Sequence, residues 1–221
     1  MAKTEPFDKN YRRYDRWFEK NEALYESEIA AVKELLSGQG YGIEIGVGTG
    51  RFAKPLGIRV GVEPSIRMGQ IARSRGIDVV GGVAEALPFG DCSFDFALMV
   101  TTVCFVDDAD RAFREVHRVL KPDGCFLNGL IDAESSLGRL YAQKRALNPF
   151  YAQATFYSVR NMFSKLEKAG FGDFTCRQTV FRPLQDMNKI QIAKTGYGEG
   201  SFVVIRALKQ TNGTIRTRHK F

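Results

Sequence analysis

Apolar and polar residues follow two different patterns along this chain. Between residues 11 and 36, apolar side chains recur at helical spacing, with an interruption near Asn21, which predicts an N-terminal helical cap that ends at Gly38 and Gly40. From residue 41 onward, short apolar runs alternate with amphipathic stretches, which predicts buried strands separated by helices. The apolar run at residues 94–100 is typical of a central strand in a parallel sheet.

The regular alternation breaks after a fifth predicted strand at residues 125–131. Helices are predicted next at residues 134–146 and 158–169, followed by strands at residues 174–181 and 201–208. No helix long enough for a crossover separates these last two strands, so we expect them to be antiparallel. The pattern therefore predicts an α/β fold, with a seven-stranded, doubly wound, mostly parallel sheet and an antiparallel last pair.

The segment after the first predicted strand is the most informative part of the sequence. Residues 44–50 read E-x-G-x-G-x-G. Glycine is needed where the backbone takes positive φ or approaches a ligand closely. Glu44 interrupts an otherwise apolar strand, which is costly unless it serves a site at the strand's end or acts as a structural or capping carboxylate. A dinucleotide site would use G-x-G-x-x-G instead, so a nicotinamide enzyme is disfavoured.

A second acid lies at the end of the next predicted strand. Residues 58–62 form an apolar run that ends at Glu63, roughly 20 residues after the first strand, where an acid binds the ribose in βαβ nucleotide units. The strand, glycine loop, helix, strand and acid together predict a site for a nucleoside-type cofactor.

With these motifs the chain resembles the class I S-adenosylmethionine-dependent methyltransferases, which implies a Rossmann-like sheet and S-adenosylmethionine as methyl donor, with S-adenosylhomocysteine as product. The resemblance covers residues 40–131 and continues to Lys209. Besides the glycine loop, it rests on residues 61–65, 82–89, 93–99 and 114–124. Val83 stands where the family usually has Asp, so Glu85 or the backbone of Ala84 would have to supply the polar contact to adenine.

The resemblance implies a cofactor site at the carboxyl ends of the first and fourth strands. Glu44 and the glycine loop would hold the aminoacyl tail, and Glu63 would hold the ribose. Met68 or Leu87 would flank the adenine, and for Met68 the alternative is ordinary helix packing. The cofactor-binding residues predicted in this way are Glu44, Gly46, Val47, Gly48, Gly50, Glu63, Pro64, Met68, Ala84, Glu85, Val100 and Thr101. No metal is implied.

Methyl transfer from a sulfonium needs alignment and water exclusion more than a protein nucleophile. Aromatic residues of the cap and of residues 133–157 predict a lid over an apolar or cationic small acceptor, with simple helix packing as the alternative. The predicted acceptor contacts are Tyr14, Trp17, Cys104 and Tyr141. Asp132 is the first candidate for a base, ahead of Tyr14 and Tyr141, and the alternative for Asp132 is a helix cap.

Composition and charge bound the remaining possibilities. The 221 residues, 44% hydrophobic and 26% charged, predict one domain over residues 1–209, which includes a cap at 11–37 and a helical insertion at 133–157. A basic, flexible tail is expected at residues 210–221. Of the net charge of +7, five charges come from Arg206, Lys209, Arg216, Arg218 and Lys220. The rest of the chain is therefore nearly neutral, and nucleic-acid binding is not expected.

The sequence lacks a signal peptide or a bilayer-length apolar stretch, so we expect a cytoplasmic protein with no membrane association. The expected partner is a small-molecule methyl acceptor. Two alternatives stay open at this point: an RNA or protein methyltransferase aided by the basic tail, and a non-catalytic S-adenosylmethionine-binding protein. The acceptor atom and the oligomeric state do not follow from the sequence.

Overall fold

The N-terminal cap consists of two helices, α1 (Glu5–Lys20) and α2 (Glu22–Leu35). The computed structural model describes residues 4–36 and 40–210 and the backbone of residues 219–220. Helix α1 begins well before residue 11, with Pro6 in its first turn, a position that tolerates proline because its missing N–H has no helical partner. The predicted break at Asn21 is confirmed, since its backbone leaves the helical conformation. Gly38 lies outside the described residues, as do most of the predicted tail residues.

The remaining elements alternate between strand and helix up to β5, except that β4 follows β3 with no helix between them, and after β5 the alternation ends. The strands are β1 (Gly42–Ile45), β2 (Val60–Val62), β3 (Asp78–Val80), β4 (Phe94–Val100), β5 (Leu120–Ile131), β6 (Phe171–Thr179), β7 (Lys194–Thr195), β8 (Phe202–Lys209) and β9 (His219–Lys220). The helices are α3 (Ala53–Leu56), α4 (Ile66–Ser74), α5 (Ala109–Val119), α6 (Ser136–Gln143) and α7 (Val159–Lys168).

The described strands form one sheet in the order β3-β2-β1-β4-β5-β8-β6-β7, with β9 beside β6. Strands β1 to β5 are parallel, whereas β8 is antiparallel to both β5 and β6. The doubly wound sheet with an antiparallel last pair is thus confirmed. The predicted count of seven strands omits β7 and β9, because two-residue strands carry no readable periodicity. The strand order reverses between β1 and β4, which is where α/β sheets bind ligands.

Both faces of the sheet are covered, as expected for a parallel sheet. Ile43, Ile45 and Met99 pack on one face in the same cluster as residues of α5 and α7. Leu98 and Val100 point to the other face, where α1 and α2 cover them. None of the helices in the described segments is long and apolar enough to cross a lipid bilayer.

Helix α1 is fixed to the body of the protein by ion pairs. Asp15 receives hydrogen bonds from Arg51, which follows the glycine loop, and from Arg75, at the end of α4. All three side chains are largely buried, with exposed fractions of 16%, 17% and 23%. Because several charge-assisted bonds converge on one carboxylate, the position of α1 over the carboxyl ends of the strands is well defined.

Candidate functional site

The glycine loop folds tightly against β2 and β4. The N–H groups of Gly46 and Val47 both donate to the Val62 carbonyl, at 2.8 and 3.0 Å. Gly46 has a φ of +70°, and a Cβ placed there would lie 2.3 Å from Cγ2 of Thr102. Only glycine fits this position without displacing the loop after β4.

The three glycines of the loop have different surroundings. Gly48 has a φ of +56° and faces a cleft, since a Cβ there would meet Tyr14 Oη at 3.5 Å and Met68 Cε at 3.6 Å. Gly50 instead packs against Ala72 at the back of the loop. Val47 is buried against Gly61 and also lies away from the cleft. Gly50 and Val47, both predicted to bind the cofactor, therefore shape the loop from behind.

The Glu63 side chain connects the end of β2 to the glycine loop. Its Oε2 accepts a hydrogen bond from the Gly48 N–H at 2.8 Å, and its Oε1 accepts one from the Ser65 N–H at 2.9 Å. Burial raises the pKa of Glu63 to about 7, although these two N–H groups oppose the shift. Each carboxylate oxygen has a second lone pair, so Glu63 can accept further hydrogen bonds from a ligand.

A cleft of about 90 Å³ opens at the carboxyl ends of β1, β2 and β4. The predicted cofactor-binding residues that line it are Gly46, Gly48, Glu63, Pro64, Met68, Ala84, Glu85, Val100 and Thr101. Lining residues that the sequence reasoning missed include Thr4, Phe7, Gly82, Thr102, Phe105 and Asp107. Gly82 belongs to residues 82–89, a segment that carries the family resemblance, so its place in the cleft could have been predicted. Thr4 and Phe7 reach the cleft only because of how α1 docks.

Glu44 and Glu85 have protein partners of their own. Glu44 is buried, does not line the cleft and accepts a hydrogen bond from the backbone of Ala53 at the start of α3. Burial raises the pKa of Glu44 well above its usual range. Glu85 does line the cleft, but its Oε1 accepts the N–H groups of Asp107 and Asp108, at 2.6 and 3.2 Å. Glu85 therefore orders the loop that precedes α5.

Asp132, the predicted base, lies outside the lining of the cleft and of the cavity described next. Its Oδ1 accepts N–H groups from Glu134 and Val159, at 3.1 and 3.4 Å. Burial raises the pKa of Asp132, with these bonds acting in the opposite direction. The contacts favour a structural role, in which Asp132 holds the turn into α6 and the start of α7. Asp132 is not itself the helix cap named as the alternative, because Ser135 caps α6 and Ser158 caps α7.

A larger cavity of about 290 Å³ lies beside the cleft, under α1. Its volume is near the lower end of the range for small-molecule pockets, roughly 300 to 1,000 Å³. All four predicted acceptor contacts, Tyr14, Trp17, Cys104 and Tyr141, line it. Further aromatic lining residues are Phe7, Phe18, Phe52, Phe105, Phe150, Tyr151, Phe156 and Tyr157.

The aromatic rings of the cavity contact one another and bring distant segments together. The Tyr14 ring lies 5.3 Å from that of Phe18 and 6.0 Å from that of Phe150, between centroids. The rings of Tyr141 and Tyr151 are 4.7 Å apart. The N-terminal cap and the segment at residues 133–157 therefore both line one aromatic cavity and contact each other.

The cleft and the cavity share four lining residues, Phe7, Tyr14, Thr101 and Phe105. Thr101 immediately follows β4 and has a φ of +48°, which is rare for a β-branched residue. Thr102 is held by bonds from its Oγ1 to the carbonyls of Gly46 and Val100, at 3.3 and 3.1 Å. The boundary between the two spaces is thus built from the end of β4 and from α1.

The sequence reasoning missed the buried charged residue of the cavity wall, Glu28 on α2. Its side chain is only 4% exposed and lines the cavity. Burial raises the pKa of Glu28 to about 8. A signal was present in the sequence, because Glu28 is four residues from both Leu24 and Val32, on the apolar side of the helix.

Comparisons with known proteins agree with this geometry. A family model described as a methyltransferase domain matches residues 43–128. An uncharacterized protein of Methanocaldococcus jannaschii is 43% identical over 203 residues, which are 92% of this chain and 98% of that protein. A solved structure from Thermotoga maritima, a SAM-dependent methyltransferase and possible histamine N-methyltransferase, is 50% identical, with a TM-score of 0.91. That match covers 93% of this chain and 98% of the other.

Proposed function

This chain belongs to the class I S-adenosylmethionine-dependent methyltransferases, and on that premise we propose that it methylates a small molecule bound in the aromatic cavity. The cofactor would occupy the cleft. The observation that carries the proposal is the boundary shared by the two spaces at Tyr14 and Thr101. An acceptor in the cavity would reach the reactive end of a cofactor in the cleft through this boundary.

The residues of the cleft fit S-adenosylmethionine. Glu63 offers a half-buried carboxylate, which suits a pair of sugar hydroxyls. Met68 and Ala84 offer buried apolar surface to an adenine ring. Gly48 has no side chain and a positive φ, so its backbone can approach an aminoacyl group closely, while Gly46 lets the loop pack against Thr102. We therefore assign these residues to cofactor binding, and Glu44 to support of the loop.

When bound, the cofactor supplies an electrophilic methyl carbon on a sulfonium sulfur. The chain's own contribution is to align the acceptor and to exclude water, and alignment alone reaches effective molarities of roughly 10⁵ M or more. The aromatic walls of the cavity serve both purposes, because rigid rings fix the orientation of a ligand and leave little space for water.

We assign no general base among the candidates from the sequence. Asp132 lies outside the cavity. Burial raises the pKa of Tyr141 to about 12 and that of Tyr14 higher still, with nearby carboxylates adding to both shifts. Both phenols are therefore neutral near pH 7, and they position an acceptor by hydrogen bonding rather than by removing its proton.

The experiment that tests the proposal is a transfer assay with methyl-labelled S-adenosylmethionine. The protein is incubated with a small-molecule extract and, separately, with RNA and protein fractions. We expect label in a small-molecule product, and we expect Glu63→Gln to reduce its formation. Label in the RNA or protein fraction alone would support a macromolecular acceptor. Bound cofactor without transfer to any fraction would support a non-catalytic binding protein.

A further inference from the structure

The buried carboxyl group of Glu28 has no function in the fold that its contacts explain. Within residues 4–36 and 40–210 it accepts no hydrogen bond and makes no ion pair. Its neighbour Ser27, by comparison, receives the N–H of Gln191 and donates to the Ala23 carbonyl. A buried carboxyl group without a partner is costly, and sites of this kind are often kept for a ligand.

Glu28 belongs to the wall of the cavity. The Glu28 side chain is 4% exposed and is part of the cavity wall, so its accessible surface lies inside the cavity. A ligand in the cavity can therefore contact the carboxylate directly.

The charges around the cavity leave Glu28 without a protein counter-ion. Glu28 and Arg13 are the charged members of the described lining, and Arg13 is exposed and forms no ion pair with Glu28. The titratable groups near Glu28 are the phenols of Tyr14 on α1 and Tyr141 on α6, which are neutral near pH 7. The interior of the cavity therefore carries one negative charge or none.

Aromatic rings line the same cavity as this acid. Tyr14, Trp17 and Phe18 come from α1, while Tyr141 and Tyr151 come from residues 133–157. Ring faces attract cations, and the attraction is strongest where water is excluded. An anionic acceptor would be repelled by Glu28, and a neutral apolar acceptor would leave the carboxyl group without a partner. A cation satisfies both the carboxylate and the rings.

We infer that the acceptor is a small amine whose protonated amino group binds Glu28 inside the aromatic cavity. This inference rests on the proposed function, because it assigns a substrate class to the same cavity. The chemistry expected of the ligand is an ammonium group joined to an apolar or aromatic body that fits about 290 Å³. Glu28 is then the residue that separates amines from alcohols and acids of the same shape.

The test compares amines with neutral molecules of matched shape. Wild-type protein is titrated calorimetrically with three pairs: 2-phenylethylamine and 2-phenylethanol, tryptamine and tryptophol, and hexylamine and hexanol. Titrations are run with and without S-adenosylhomocysteine. We expect at least one amine to bind about tenfold or more tightly than its alcohol, as a charge-assisted hydrogen bond implies.

The variant Glu28→Gln keeps the shape of the side chain and removes its charge. We expect it to lose the amine preference, with alcohol affinity and S-adenosylhomocysteine affinity unchanged. The control is Glu22→Gln, which removes an exposed acid at the start of the same helix, outside the cavity wall. This control should keep the amine preference of the wild type.

The two proposals fail in different ways. Absence of any amine preference in the wild-type protein would overturn the inference about Glu28, and this result needs no variant to fold. An amine preference that persists in Glu28→Gln would also overturn it. Absence of S-adenosylhomocysteine binding would contradict the proposed function instead, and the titrations without cofactor would still report on Glu28.

Discussion

The Glu63 carboxylate accepts a hydrogen bond from the backbone N–H of Gly48, with 2.8 Å between Oε2 and the nitrogen. This bond joins the acid at the end of β2 to the glycine loop after β1. The two motifs that mark the cofactor site in the sequence are therefore one physical unit. Loss of the carboxylate would free the loop as well as remove a ligand-binding group.

Replacing Glu63 with Gln should weaken the binding of S-adenosylhomocysteine by about tenfold or more. An amide has one acceptor oxygen, so it cannot accept both backbone N–H groups and also bind sugar hydroxyls as the carboxylate does. Isothermal titration calorimetry gives the affinity, and circular dichroism verifies that the variant is folded. An unchanged affinity in a folded variant would remove Glu63 from the site.

Cofactor affinity should also depend on pH through Glu63. Burial raises the pKa of this group to about 7 in the free protein, so its carboxyl group is largely protonated below that pH. A protonated carboxyl group is a poorer acceptor, and the affinity should therefore rise as pH increases from about 6 to 8. The same titration in Glu63→Gln should be flat over this interval. A wild-type affinity that falls with rising pH would contradict this assignment.

Gly46→Ala should cost more stability than Gly57→Ala, although both residues have a φ near +70°. A Cβ at Gly57 would have no neighbour within 4 Å, so the cost there is backbone strain of about 1 to 2 kcal/mol. A Cβ at Gly46 would also collide with Thr102, so we expect roughly 2 to 4 kcal/mol and weaker cofactor binding. Denaturant unfolding measures the stability of each variant. Equal losses of stability in the two variants would show that Thr102 moves aside at little cost.

Replacing Asp15 with Asn should destabilise the protein by about 1 to 3 kcal/mol, because it breaks the contacts that hold α1 over the cavity. Burial by itself raises the pKa of Asp15, but hydrogen bonds from Arg75 and Arg51 hold it well below its usual range. The stabilisation is thus present above about pH 4 and is lost as pH falls further. Thermal unfolding as a function of pH checks this behaviour.

The matched control for this prediction is Glu5→Gln on the same helix. Glu5 pairs with Lys9 at the surface, where the side chains are 73% and 70% exposed, and such pairs contribute little. A loss from Glu5→Gln as large as that from Asp15→Asn would mean that the buried network is not what fixes α1.

Glu28→Gln should stabilise the free protein at high pH. The pKa of Glu28 is about 8 in the folded state and near 4.5 in the unfolded chain, so the folded state binds the extra proton between these values. Wild-type stability therefore falls as pH rises from about 5 to 8, whereas the variant lacks this contribution. We expect similar stability at pH 5 and a gain on the order of 2 to 4 kcal/mol at pH 8. Denaturant unfolding at pH 5 and pH 8 measures the stability of both proteins and tests whether the variant is the more stable one at pH 8.

Much of the proposed cofactor site was predictable because its signals are local in sequence. The glycine loop, Glu63 and Met68 are placed by a strand, a turn and a helix start that lie close together along the chain. Gly50 and Val47 belong to the same motif but face away from the cleft, and spacing alone does not show on which side of a loop a residue lies.

The proposed acceptor cavity was only partly predictable because it depends on how distant segments dock. The sequence predicts that its aromatic residues act together as a lid. It does not show that α1 places Phe7 and Tyr14 against the end of β4. Glu28 was missed although it interrupts the apolar side of α2. A charged residue on an apolar helix face is as informative as Glu44 within an apolar strand.

The most direct test is a crystal structure of the protein grown with S-adenosylhomocysteine. We expect its sugar hydroxyls within hydrogen-bond distance of the Glu63 carboxylate and its sulfur directed toward the boundary at Tyr14 and Thr101. A nucleoside bound outside the cleft, or one bound there with its sulfur directed away from the aromatic cavity, would contradict the account.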